Sequence, residues 1–260
     1  MNKAIELIIL CIFMTITTFG SSIVPLKISN TSYTNINVLS HLSAGIILGT
    51  AFMIIIPEGM EMMQENINSL SVGLPLIFGF ITMYGLEIFT NHASFKQNTV
   101  MDSLSLSFIL HGIVDGISLG SSFIIDSDMS LFIYLAIIIH KLPTAFSLST
   151  LLMKNGLSLN KIYWQLCYFA LSTPLSSIII YTISSIFKFE NTGLFIGLLF
   201  LFSGGNFIYI INHIHNDDEF EELPTTEESN TTVTPKSETR RIYWELAGLI
   251  IPILLSFIKD

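Results

Sequence analysis

Polar residues along this chain fall in short intervals, and between them run eight apolar stretches, at about 4–24, 38–57, 70–90, 101–125, 129–153, 162–187, 193–212 and 242–258. Each reaches the roughly 20 residues an α-helix needs to cross about 30 Å of hydrocarbon. The pattern predicts an all-α integral membrane protein, a bundle of eight transmembrane helices. Residues 1–212 carry the first seven, 242–260 the eighth and the C-terminus, and 213–241 the longest polar interval. That interval opens on His213-Ile-His215-Asn-Asp217-Asp218-Glu219 and continues rich in Glu, Thr, Ser and Pro to Arg241. Such a composition cannot bury a core, so it is expected to be disordered.

Composition agrees with this reading. The hydrophobic share is 51% and the charged share only 12%, where soluble domains average about 25%. The net charge of −9 sits largely in the acidic interval and says little about the rest. Cys11 and Cys167 both lie in apolar stretches without CxxC spacing, which indicates neither a disulfide framework nor a thiolate zinc site. No basic patch interleaved with aromatics is present, which removes nucleic acid as a partner. The first apolar stretch lacks a cleavage-site pattern and is read as a retained helix.

The polar exceptions inside the apolar stretches carry the chemistry. His111-Gly112-Ile113-Val114-Asp115-Gly116 lies in the fourth and His140-Lys141-Leu142-Pro143-Thr144 in the fifth. An ionisable side chain near mid-bilayer costs roughly 2.5 kcal/mol or more on insertion scales, and it usually marks a transport path, a proton relay or a metal site. Positions four apart share a helix face, so His111 and Asp115 can grip one ion, and His140 and Thr144 repeat the spacing. Two imidazoles and a carboxylate suit zinc, with iron(II) or manganese as further candidates. The fourth position falls to a water or to the Thr144 hydroxyl. Pro143 lacks an N–H, which predicts a kink beside His140.

Around this centre, Gly112, Gly116 and Gly120 form a ridge beside the 111/115 stripe, Gly45 and Gly49 repeat the spacing in the second stretch, and Gly193 and Gly197 in the seventh. All are read as helix contacts. Pro174, with Ser172 and Thr173, is expected to bend the sixth helix. His41 and His92 are read as interfacial histidines, Met53 as core filler, and Glu87 as an interfacial or exit-side carboxylate. His213 and His215 are candidates to hold a metal in passing on the cytosolic side.

These residues together resemble the ZIP family (Zrt/Irt-like proteins) of zinc and iron transporters. That family carries His-Asn-x-x-Asp/Glu-Gly on its fourth helix, where His111, Asp115 and Gly116 match and Gly112 departs. On its fifth helix it carries His-Glu-x-Pro-His-Glu or a variant, where His140 and Pro143 match and Lys141, Thr144 and Ala145 depart. The run from Gly45 through Pro57-Glu58-Gly59 is similar to a ZIP second helix. The resemblance implies alternating access, with metal bound near the midplane by His111, Asp115 and His140. It also implies that Lys141, beside Gly112 and in place of an acidic residue, stands in for a second ion and leaves a single-metal site.

Orientation follows independently from the Lys/Arg count in loops. With the N-terminus outside, cytosolic loops hold Lys27, Lys96, Lys154, Lys161, Lys236, Arg240 and Arg241, and the outside holds Lys3, Lys188 and Lys259. Lys141 remains inside the membrane. Outer intervals hold Glu58, Glu61, Glu65, Asp126 and Asp128, a surface that concentrates cations. The function expected is therefore a divalent metal transporter, most simply of zinc, from the outside or an organelle lumen into the cytosol, in the plasma membrane or an endomembrane such as Golgi. The expected partners are the metal ion and the lipid bilayer, with a homodimer as the candidate assembly. The alternatives are an intramembrane zinc hydrolase, which lacks an HExxH run because Lys141 stands where its Glu would be, and a non-conducting metal-binding protein. No catalytic residue or catalytic cofactor is expected. Both imidazoles must be neutral to ligate, so uptake should weaken as pH falls toward histidine's ordinary pKa near 6.5.

This orientation generates a test. Asn30-Thr-Ser and Asn230-Thr-Thr are glycosylation sequons that it places in the cytosol, where both should stay bare. A glycan on either asparagine, detected by mass spectrometry with and without glycosidase, would overturn the map; on Asn230 alone it would place the error in the last two helices.

Overall fold

The computed structural model describes residues 3–28, 33–63, 67–92, 103–125, 127–186, 192–221 and 235–259. Among them there is no strand. The helices are α1 (Lys3–Ile28), α2 (Tyr33–Thr50), α3 (Ile56–Met63), α4 (Ser69–His92), α5 (Ser103–Ile125), α6 (Ser127–Lys154), α7 (Leu159–Ile186), α8 (Thr192–Glu221) and α9 (Pro235–Lys259). Hydrocarbon offers no water to satisfy backbone N–H and C=O groups, so helices must satisfy their own. By length and composition, seven stretches among the described residues suffice to cross a membrane; α9 carries the eighth apolar run.

The second span differs from a plain helix. A π-helical turn, Ala51–Ile55, separates α2 from α3, and the Ile56 N–H reaches back five residues to the carbonyl of Ala51. Pro57 falls in the first turn of α3, and because helix runs unbroken into it, its missing N–H leaves a carbonyl of the preceding π-helical turn without that partner. The span therefore continues as helix beyond 57, and Glu58, expected in an outer loop, is fully buried inside α3. Helix also runs into both ends of the expected acidic interval, because α8 extends to Glu221 and α9 starts at Pro235. Residues 222–234, its middle, lie outside the described residues. Pro143 and Pro174 lie within α6 and α7, each a single helix throughout. After α6, Gly156 takes φ 69° and its N–H donates to the Met153 carbonyl at 3.0 Å, a left-handed helix stop that favours glycine.

α5 is the central helix. Its apolar window is 72% buried, against 11% for α4, which sits at the periphery. α5 packs most closely on α7 and also meets α6 and α8, while α1 lies on α6 and α7, α2 on α9 and α6, and α4 on α8. The α5–α7 contact is made by the glycine ridge. A Cβ on Gly112, Gly116 or Gly120 would run into the Ser172 hydroxyl, the Ser176 hydroxyl and Thr173 carbonyl, and the Ser177 carbonyl respectively. The second-span glycines act similarly against α9, Gly45 on the Glu245 backbone and Gly49 on Pro252. Phe108 of α5, Phe169 of α7 and Phe207 of α8 fill the space below this contact, with ring centroids 5.9 and 5.8 Å from Phe108.

Close approach at Gly116 makes a sharp expectation. Gly116→Ala should destabilise the protein by about 1–3 kcal/mol through overpacking, whereas Gly85→Ala on α4, which has nothing within 4 Å of the added carbon, should be neutral or stabilise slightly by better helix propensity. Thermal unfolding in detergent reads both; equal melting points for the two variants would refute the ridge as the α5–α7 contact.

Candidate metal centre

α5 and α6 bring the two histidine runs together in the middle of the bundle. His111 Nε2 lies 3.2 Å from Asp115 Oδ2, one turn along the same face, and His140 Nε2 of α6 lies 3.4 Å from that same oxygen. All three side chains are at most 1% exposed. Their ligand atoms lie within 4.8 Å of one another, and among the described residues they form the one group of three or more His, Cys, Asp or Glu side chains so placed. Two donors at corners of a tetrahedron with zinc–ligand arms near 2.05 Å stand about 3.3 Å apart. The observed Nε2–Oδ2 separations of 3.2 and 3.4 Å match that edge.

The other ring nitrogens are held differently. His111 Nδ1 hydrogen-bonds the Ser203 hydroxyl of α8, and the Phe207 ring covers the imidazole at 4.3 Å between centroids. With Nδ1–H donating to Ser203 Oγ, the Nε2 lone pair is left facing the cluster, as a ligand requires. His140 Nδ1 has no hydrogen-bond partner among the described residues.

A cation completes the constellation. Lys141 is fully buried, its Nζ 3.9 Å from Asp115 Oδ2. It donates at 2.6 Å to Thr173 Oγ1, which in turn donates at 2.7 Å to the Gly112 carbonyl. The ammonium also stands 4.3 Å from the Phe169 ring centroid, close enough for a cation–π contact. A Cβ on Gly112 would come 3.3 Å from Nζ, so the missing side chain makes room for the lysine.

Of the residues singled out in the sequence, His111, Asp115, His140, Lys141 and Gly112 thus converge. Thr144 is buried one turn further along, and its hydroxyl donates at 2.9 Å to the Lys141 carbonyl. The Pro143 carbonyl accepts from Ser147 at 3.0 Å. His213 is elsewhere: its Nδ1 lies 3.6 Å from Glu87 Oε1 of α4, and its ring stacks on Tyr209. His41 lies 4.0 Å from Glu245, and the side chains of His92 and His215 lie outside the described residues. Met53, expected as core filler, is 42% exposed and lies within the π-helical turn. Sequence reasoning missed Ser203 and Phe169 and read Thr173 only as part of a bend. The only hint was a small polar residue beside Gly204-Gly205 in an otherwise apolar run.

Comparison with known proteins points the same way. The profile of a family described as "ZIP Zinc transporter" matches residues 3–103 and 93–211. "Zinc transporter ZIP9" of Xenopus tropicalis is 25% identical, over 95% of this chain and 96% of its own length. "Zinc transporter ZIP9-B" of Xenopus laevis is 25% identical over 98% of each. An uncharacterized protein of Methanocaldococcus jannaschii is 30% identical over 47% of this chain and 52% of its own length.

The Ser203 contact makes a prediction for this centre. Ser203→Ala should leave the fold intact yet weaken zinc binding by about 10–100-fold, the usual effect of losing a partner that orients a ligating histidine. Competition against a fluorescent zinc chelator measures it, and unchanged affinity would show that something other than Ser203 holds the His111 tautomer.

Proposed function

The chain belongs to the ZIP zinc transporter family, and from that premise we propose that His111, Asp115 and His140 form the site through which it carries zinc across a membrane. The observation that supports this best is the pair of imidazole Nε2 atoms 3.2 and 3.4 Å from one buried Asp115 oxygen. Zinc here is cargo. It sheds most of its water to bind, and helix rearrangement then exposes it to the other side. Water or the Thr144 hydroxyl completes the coordination, and iron(II) or manganese fits the same donors.

Transport runs from the outside or a lumen to the cytosol: the Lys/Arg distribution sets which side is cytosolic, and the acidic outer intervals concentrate cations on the other. His213 and Glu87, on the side assigned to the cytosol, receive metal as it leaves, together with His215 and the acidic interval that follows. Lys141 occupies the place of a second ion, so one metal binds per protomer. The protomers assemble as a homodimer in the plasma membrane or an endomembrane. The Xenopus relatives' names, which specify zinc transport, support the cargo.

Radiolabelled zinc flux into vesicles holding the purified protein tests the reading. Wild-type protein should conduct, and His111→Ala, Asp115→Ala or His140→Ala should abolish flux at normal abundance, since among the described residues no further His, Cys, Asp or Glu joins this group. Thr144→Ala should retain most of it, and elemental analysis should find one zinc per protomer. Near-normal flux from Asp115→Ala would sink the site.

A further inference from the structure

Lys141 is more than a spacer beside a ligand. Among eleven Lys and Arg residues it alone falls deep in an apolar stretch, and its ammonium has a built seat. Thr173 accepts from it at 2.6 Å, the Phe169 ring faces it at 4.3 Å, and Asp115 Oδ2 lies 3.9 Å away. The Thr173 hydroxyl is itself anchored on the Gly112 carbonyl at 2.7 Å. α5, α6 and α7 therefore each contribute to holding one positive charge against the only carboxylate of the metal centre.

Resting on the transport reading above, we propose that Lys141 is a resident counter-charge that lets the site cross between its two exposures without metal. With neutral imidazoles, Asp115 and Lys141 sum to zero charge when no metal is bound. Without the lysine, the metal-free site would hold Asp115 in a low-dielectric interior with no opposing charge, its contact with His140 Nε2 at 3.4 Å notwithstanding. Breaking a buried pair by removing one partner is strongly unfavourable, because it leaves the other charge uncompensated. In the metal-loaded site the balance reverses, since the ammonium adds to the charge of the dication and promotes release. Lys141 thus eases the metal-free step of the cycle and weakens the loaded one. The seat on α7 keeps the ammonium beside Asp115 while leaving the Nε2 faces of His111 and His140 open to the ion.

Two modes of flux separate these steps. Net uptake of radiolabelled zinc into zinc-free vesicles requires the metal-free site to return, whereas exchange into vesicles preloaded with unlabelled zinc does not. In Lys141→Met, of similar length and shape, the ratio of exchange to net uptake should rise at least about tenfold over wild type, given the penalty for an unpaired buried charge. Lys141→Gln keeps a donor for Thr173 without the charge; it should give the same rise, and it carries the test should the methionine variant fail to fold. An unchanged ratio, with both modes falling together or neither falling, would overturn the counter-charge role. Absence of wild-type flux in both modes would instead overturn the transport reading itself.

Discussion

A single carboxylate oxygen in the middle of a helical bundle sets the constraints that the surrounding structure meets. Asp115 Oδ2 is approached by His111 Nε2, His140 Nε2 and Lys141 Nζ at 3.2, 3.4 and 3.9 Å. An isolated charge at that depth would be expelled or neutralised, because the interior cannot solvate it. The Lys141 ammonium and the His140 Nε2, both from α6, make the burial tolerable. They also fix the spacing and rotation of α5 against α6, since a turn of either helix by one residue would swing its contribution about 100° away.

That demand explains the small residues on α5. Water is absent and lipid is as apolar as leucine, so helices associate through close van der Waals contact and hydrogen bonds. The glycines at 112, 116 and 120 let the α7 backbone approach, and this approach carries Thr173 and Phe169 to the Lys141 ammonium. A larger residue at 112 would disrupt both the helix contact and the lysine's seat. Packing and charge are therefore solved by the same positions. α8 closes the centre from another side, with Ser203 on the His111 ring and Phe207 covering it.

The family comparisons and the geometry rest on different observations. The profile match and the Xenopus relatives concern resemblance over nearly the whole chain; the donor separations concern one cluster of atoms. They agree on zinc. Lys141 adds a buried amino group 3.9 Å from Asp115 Oδ2 to that cluster.

The amino-acid sequence was enough to establish the apolar helices and the shared face of His111 and Asp115. Twenty apolar residues in a row leave the backbone no alternative to helix in hydrocarbon, and the four-residue spacing of His111 and Asp115 places them on one face whatever the helix packs against. Those are local properties, settled within a few residues of chain. The π-helical turn at Ala51–Ile55, the burial of Glu58 and the exposure of Met53 were not legible, because a one-residue shift in helical phase leaves no trace in average hydropathy. Ser203, Thr173 and Phe169 were hidden for a different reason. Each is an ordinary residue of a membrane helix until α7 and α8 settle against α5 and α6, and its role then depends on contacts 32 to 92 positions away along the chain for Thr173 and Ser203. Short-range periodicity determines which face a side chain occupies; only the packing of whole helices determines what that face meets.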